Sequence, residues 1–214
     1  MKILLILVIL LAVLGGAIDV GSRIAMQHQL EQRINSYEPS AAAKVTIHGF
    51  PFLFKLIADG RVDKITAHAA EISQGSFVLD RVDVTVTGVR INRTLFLHQR
   101  QLEIVAIDTG TVTADMTQAD FDRLVGYPVV LGNGTAQVTV AGVSVTAPVS
   151  VSNGRLVVAA ARLPISVPIP NLPVLPCLAN VAVIPGHLVG SCTFHQVPPA
   201  LRNALQGALA GPGR

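Results

Sequence analysis

Charge is scarce in this sequence. Only 14% of its 214 residues are Asp, Glu, Lys or Arg, against about 25% in ordinary soluble chains. With half the residues hydrophobic, that deficit excludes an intrinsically disordered chain, which needs the opposite balance, and argues against a cytosolic one. Aromatics are scarcer still: seven Phe, two Tyr and no Trp. No basic run of the kind that follows a phosphate backbone occurs, and the formal net charge is +3, so no nucleic-acid partner is expected. The charge supports at most a weak attraction to anionic lipid surfaces. Two cysteines without a second pair or a spaced His pair make no zinc site. The six histidines (His28, His48, His68, His98, His187 and His195) form no His-x-x-x-His pair.

Motifs for covalent chemistry are equally thin. Ile107-Asp108-Thr109-Gly110-Thr111 carries the local signature of an aspartic protease, but that chemistry takes two carboxylates sharing a proton, and the signature occurs once. Gly142-Val143-Ser144 lacks the closing glycine of a nucleophile elbow and lies in strand-like sequence. Gly132-Asn133-Gly134 lacks a third glycine and a following helix, so it reads as a hairpin turn. Asn92-Arg93-Thr94 and Asn133-Gly134-Thr135 are glycosylation-type triplets. No catalytic residue, metal or cofactor is assigned, and the chain is not expected to be an enzyme.

What is abundant is aliphatic side chain. Lys2 is followed by an unbroken apolar or small run from Ile3 to Ile18, with Gly15-Gly16-Ala17 offering the small residues that a signal peptidase inspects. Residues 1–18 therefore read as a signal peptide or N-terminal membrane anchor, and residues 19–214 as a single domain. Sixteen helical residues span about 24 Å against a hydrocarbon core of about 30 Å, so both cleavage near Ala17 and retention as an anchor stay open. In either case the expected location is the periplasm or cell envelope. No cysteine ends the run, so it offers no lipid-attachment site. Export agrees with reading Cys177 and Cys192, fifteen apart, as one disulfide. Closing that loop would contribute about 3 kcal/mol.

Beyond Ile18, Met26, Leu30, Ile34 and Tyr37 fall at helical spacing, with Arg23, Gln27, Glu31 and Gln32 placed on other faces; the pattern predicts an amphipathic helix over 20–37, ended by Pro39. From Lys44 the period becomes two. Val45 and Ile47, then Val82, Val84 and Val86, then Val138 and Val140, then Val143 and Val145 alternate with polar residues, as half-buried antiparallel strands do. Gly132-Asn133-Gly134 and Asn153-Gly154 supply turns. Thr117 opens a capping box with Asp120, Gly126 closes that helix, and Pro198-Pro199 starts another carrying Leu201, Leu205 and Leu209. Five prolines between Leu163 and Pro176 predict an edge strand or an extended cover over something apolar. The fold class is α+β, with a large, curved antiparallel sheet and short accessory helices.

Three of the seven phenylalanines stand together in Gly49-Phe50-Pro51-Phe52-Leu53-Phe54-Lys55-Leu56-Ile57-Ala58-Asp59-Gly60. Proline at the first helical position would start a short helix there. Packed inward, the cluster is a satellite core. Facing a cavity or groove, Phe50, Phe52, Leu53, Phe54, Leu56 and Ile57 line a site for a long apolar ligand, with Lys55 near an anionic headgroup. Leu95, Phe96 and Leu97, beside Arg93, form a second such surface.

The stretch from Thr46 to Ala69, "TIHGFPFLFKLIADGRVDKITAHA", resembles the Gly-Phe-Pro-Phe-Leu segment of the LmeA-type family of actinobacterial, notably mycobacterial, cell-envelope proteins, formerly a domain of unknown function. Gly49, Phe50, Pro51, Phe52 and Leu53 match the motif by position. The resemblance implies a phospholipid-binding protein, with the curved sheet wrapped around a long helix as in tubular lipid-binding proteins. It also implies a role in lipoglycan mannan biosynthesis, and no catalytic set. The leading expectation is an exported phospholipid-binding or lipid-transfer protein whose partners are an anionic phospholipid and a membrane surface. The alternative is an envelope scaffold docking an unknown protein partner through its apolar face.

Overall fold

The computed structural model describes residues 2–37, 42–74, 77–99, 103–152, 155–160, 163–168 and 180–197. Helix α1 (Lys2–Tyr37) runs without a break from the apolar stretch into the amphipathic one, so the helix expected at 20–37 is the second half of a 36-residue element about 54 Å long. It packs against strand β1 (Lys44–His48) and helix α2 (Phe52–Asp59).

β1 is the edge of a seven-stranded antiparallel sheet. The path continues through β2 (Arg61–Gln74), β3 (Phe77–Ile91), β5 (Thr109–Thr117), β12 (His187–Phe194) and β11 (Asn180–Ile184); β4 (Ile104–Ala106) pairs with the far end of β3. The edge is not left bare. Glu31 Oε1 and Asn35 Oδ1 of α1 accept from the N–H groups of Val45 and Ala43, each at 2.8 Å. Those bonds fasten the helix to the sheet and occupy donors that would otherwise invite another strand.

The long hairpin β2–β3 changes phase near Gly88. Along β3 the residues turned to one face are Val84 and Val86 before it, and Val89 and Ile91 after it. Gly88 takes φ +61°, and the regular pairing of β2 with β3 skips from Val62–Val89 to Lys64–Thr87. The interruption lets residues of both parities reach the same side of the sheet.

A second antiparallel sheet holds β6 (Val129–Leu131), β7 (Thr135–Val140), β8 (Val143–Ser152), β9 (Arg155–Ala160) and β10 (Leu163–Pro168) in the order 10-9-8-7-6. β10, with Pro164 and Pro168, is an edge strand, as its prolines predict. The rest of that proline-rich segment, Asn153-Gly154 and the helix expected after Pro198 lie outside the described residues. Helix α4 (Gln118–Val125) joins the two sheets and drives Phe121, fully buried, into the shared core. The capping box forms as expected: Thr117 Oγ1 accepts from Asp120 N–H at 3.3 Å and donates to Asp120 Oδ2 at 2.5 Å, and Gly126 ends the helix in the left-handed region. Helix α3 (Arg93–Gln99) has no counterpart in the sequence reading. The architecture is α+β, with both sheets antiparallel and no closed barrel.

Candidate functional site

Three residues of α1 face the first sheet across a gap. Met26, Leu30 and Ile34, one turn apart, form one wall; the opposite wall comes from Val45 and Ile47 of β1 and from residues of β2, β3 and β4. The volume between them is about 170 Å³, and every side chain that borders it is aliphatic or methionine. The phase change at Gly88 builds this wall, because it brings Val84, Val86, Val89 and Ile91 to one surface. No polar side chain enters, so the space discriminates by shape and apolarity alone.

The residues singled out from the sequence sit elsewhere. α2 is apolar on both sides. Phe52 and Leu56 point into the core at 3% and 2% exposure, and Leu53 packs against it. Phe50, which precedes α2, and Phe54 on it stand 69% and 67% exposed, and Ile57, one turn beyond Phe54, is exposed as well; together they make an outer apolar stripe along α2 and its entry. On α3, Phe96 packs against the core, Leu95 is half-buried and Leu97 is exposed. None of the nine borders the gap beneath α1. Lys55 Nζ pairs with Asp63 Oδ2 at 2.6 Å, and Arg93 donates to the carbonyl of Ala58, tying α3 to α2. Cys192 is buried in β12, and Cys177 lies outside the described residues.

One residue missed in the sequence sets the position of α2. Asp19 of α1, only 5% exposed, accepts from Phe52 N–H at 2.9 Å and from Leu53 N–H at 2.5 Å. Two unpaired amides of the helix start meet a carboxylate there, with the helix dipole favouring it. The clamp fixes α2 at the point where the apolar run of α1 ends. Asp108 of the protease-like signature is exposed and shared by Arg61 at 3.4 Å and Arg90 at 3.2 Å. Among the described residues no group of His, Cys, Asp or Glu is assembled that could hold a metal ion.

A family model described as LmeA-like phospholipid-binding matches residues 17–185. The chain belongs to this family. The match takes in the second half of α1, the Phe-rich helix, the long hairpin and the second sheet, and therefore nearly all of the wall around the gap. The family is a lipid-binding one rather than a family of enzymes. No curated protein and no solved structure matches the chain.

Proposed function

We propose that this LmeA-like protein is exported, takes phospholipid acyl chain between α1 and the first sheet, and carries it within the cell envelope. The observation that bears the reading is the wholly apolar gap under Met26, Leu30 and Ile34. At about 170 Å³, it exceeds the roughly 150 Å³ dry cavity known to bind benzene. It falls short of the roughly 300–1,000 Å³ of complete ligand pockets. As it stands, the gap takes part of one chain. A diacyl lipid requires α1 to lift away from the sheet, and each methylene then buried returns about 0.8 kcal/mol. The arrangement with α1 against the sheet supports the long-helix architecture expected of a tubular lipid carrier.

The outer stripe of α2 serves the same function in a second way. Phe50, Phe54 and Ile57 project beside Ile18 and Val20, which flank the Asp19 clamp and are also exposed. If residues 3–18 are retained as an anchor, they hold this end of the molecule at a bilayer. Exposed phenylalanines on and just before a short helix suit shallow insertion there, with Arg61 and Arg90 sharing the one carboxylate of Asp108 nearby. A role in lipoglycan mannan assembly is the cellular counterpart of this carrier activity. In the oxidising envelope Cys177 and Cys192 form one disulfide, and a thiol reagent titrates no cysteine in unreduced, denatured protein.

The test is mass spectrometry of the purified protein under native and denaturing conditions, before and after exposure to phosphatidylglycerol vesicles. Stoichiometric diacyl lipid supports the carrier. A protein that stays empty in both cases contradicts it and leaves the exposed α2 stripe as a protein-docking surface.

A further inference from the structure

The cavity wall on α1 has a charged neighbour. Arg23 precedes Met26 by three residues, Leu30 by seven and Ile34 by eleven. At 3.6 residues per turn, the last two intervals return to within about 20° of the same direction. Arg23 therefore continues the apolar stripe of α1 rather than sitting on another face, about two turns before Leu30. Its side chain is half-buried, and Nε is buried with no hydrogen-bond partner. Its nearest acid along the helix, Asp19, spends both oxygens on the amides of Phe52 and Leu53. No ion pair among the described residues includes Arg23.

A buried guanidinium nitrogen left without an acceptor opposes folding and asks for a reason. The other cations near α2 are engaged: Lys55 with Asp63, and Arg93 with the Ala58 carbonyl. What would satisfy Arg23 is an anion with oxygens held against the apolar end of the gap. A phosphodiester joined to acyl chains has that composition, and the planar guanidinium fits phosphate oxygens through two parallel N–H groups. We infer that Arg23 receives the phosphate of the bound lipid while its chains enter beside Leu30 and Ile34. The inference rests on the acyl-chain reading of the gap.

The experiment compares wild type, Arg23→Met and Arg23→Lys for binding dioleoylphosphatidylglycerol, dioleoylglycerol, which has the same tails without phosphate, and inorganic phosphate. Wild type should prefer the phospholipid over the diacylglycerol by about tenfold or more, the size of one charge-assisted hydrogen bond. Arg23→Met should abolish that preference while leaving diacylglycerol binding unchanged, and Arg23→Lys should restore it in part. Equal phospholipid binding by wild type and Arg23→Met would overturn the assignment and leave the carrier standing. Loss of both lipids in Arg23→Met, with a lowered melting temperature of the empty protein, would make Arg23 structural and also overturn it. Saturation by inorganic phosphate as tight as by the phospholipid would assign the site to free phosphate and reject the headgroup. Failure of wild type to bind either lipid would strike the carrier reading instead.

Discussion

Asp19 shows how a single side chain can set the geometry of a distant helix. Replacing it with alanine leaves the amides of Phe52 and Leu53 without acceptors, and should cost about 1–2 kcal/mol, the usual value of a lost N-cap. Thermal unfolding should show a fall in Tm of several degrees, largely recovered in Asp19→Asn, whose amide oxygen still accepts one bond. An unchanged Tm in Asp19→Ala would contradict the clamp. Gly88 is the other decisive residue. A side chain there meets φ +61° and the Asp108 carboxylate together, so Gly88→Ala should destabilise by about 2 kcal/mol, the left-handed penalty plus the crowding. These two residues also mark where sequence reading stops. Thr117 and Asp120 are three apart, so their cap is visible as a motif. The partners of Asp19 lie 33 and 34 residues away, and only the fold brings them together.

At the level of elements, the Phe-rich stretch is readable as a short helix because proline and apolar spacing are local signals, although Pro51 stands at the N-cap, one place before the first helical residue Phe52, rather than at the first helical position. Its orientation is not, since both faces are apolar and the pattern assigns neither to the core. The structure divides the residues: Phe52→Ala should cost about 3–5 kcal/mol as a core truncation. Phe50→Ser with Phe54→Ser should leave Tm within a degree or two, yet reduce co-flotation with phosphatidylglycerol vesicles several-fold. Undiminished flotation of that double variant would remove the membrane role of the outer stripe. Helix α3 carries a local start signal in the sequence. Asn92 is an N-cap residue by type and its Oδ1 accepts from Leu95 N–H at 3.3 Å; the same asparagine opens a glycosylation-type triplet, which masks it as a cap. Arg23, expected on another face than the apolar stripe, is aligned by helical geometry with Leu30 and Ile34. The prolines of β10 were more informative, because a missing donor is tolerated at an edge and not in a sheet centre.

For the whole molecule, period-two valines and the apolar positions of α1 announced an α+β fold with antiparallel sheets, and they also supplied the walls of the cavity. The location of the cavity was hidden, because it depends on the phase change at Gly88 and on Glu31 and Asn35 holding α1 over the edge strand. Aromatic clustering drew attention to α2, while the gap itself is lined by ordinary aliphatic residues that any core would contain. The central claim is that this gap is where the lipid goes. Ala67 of β2 is the smallest side chain on its wall, and Ala67→Phe fills the space from the sheet side without touching α2. The measurement is phospholipid bound per protein, by native mass spectrometry after incubation with phosphatidylglycerol, for wild type and Ala67→Phe of equal secondary structure by circular dichroism. The account predicts one lipid on the wild type and at least a tenfold weaker occupancy in the variant, the penalty of about 1.4 kcal/mol or more that an overfilled site imposes. Full occupancy in Ala67→Phe would place the lipid elsewhere and contradict the account.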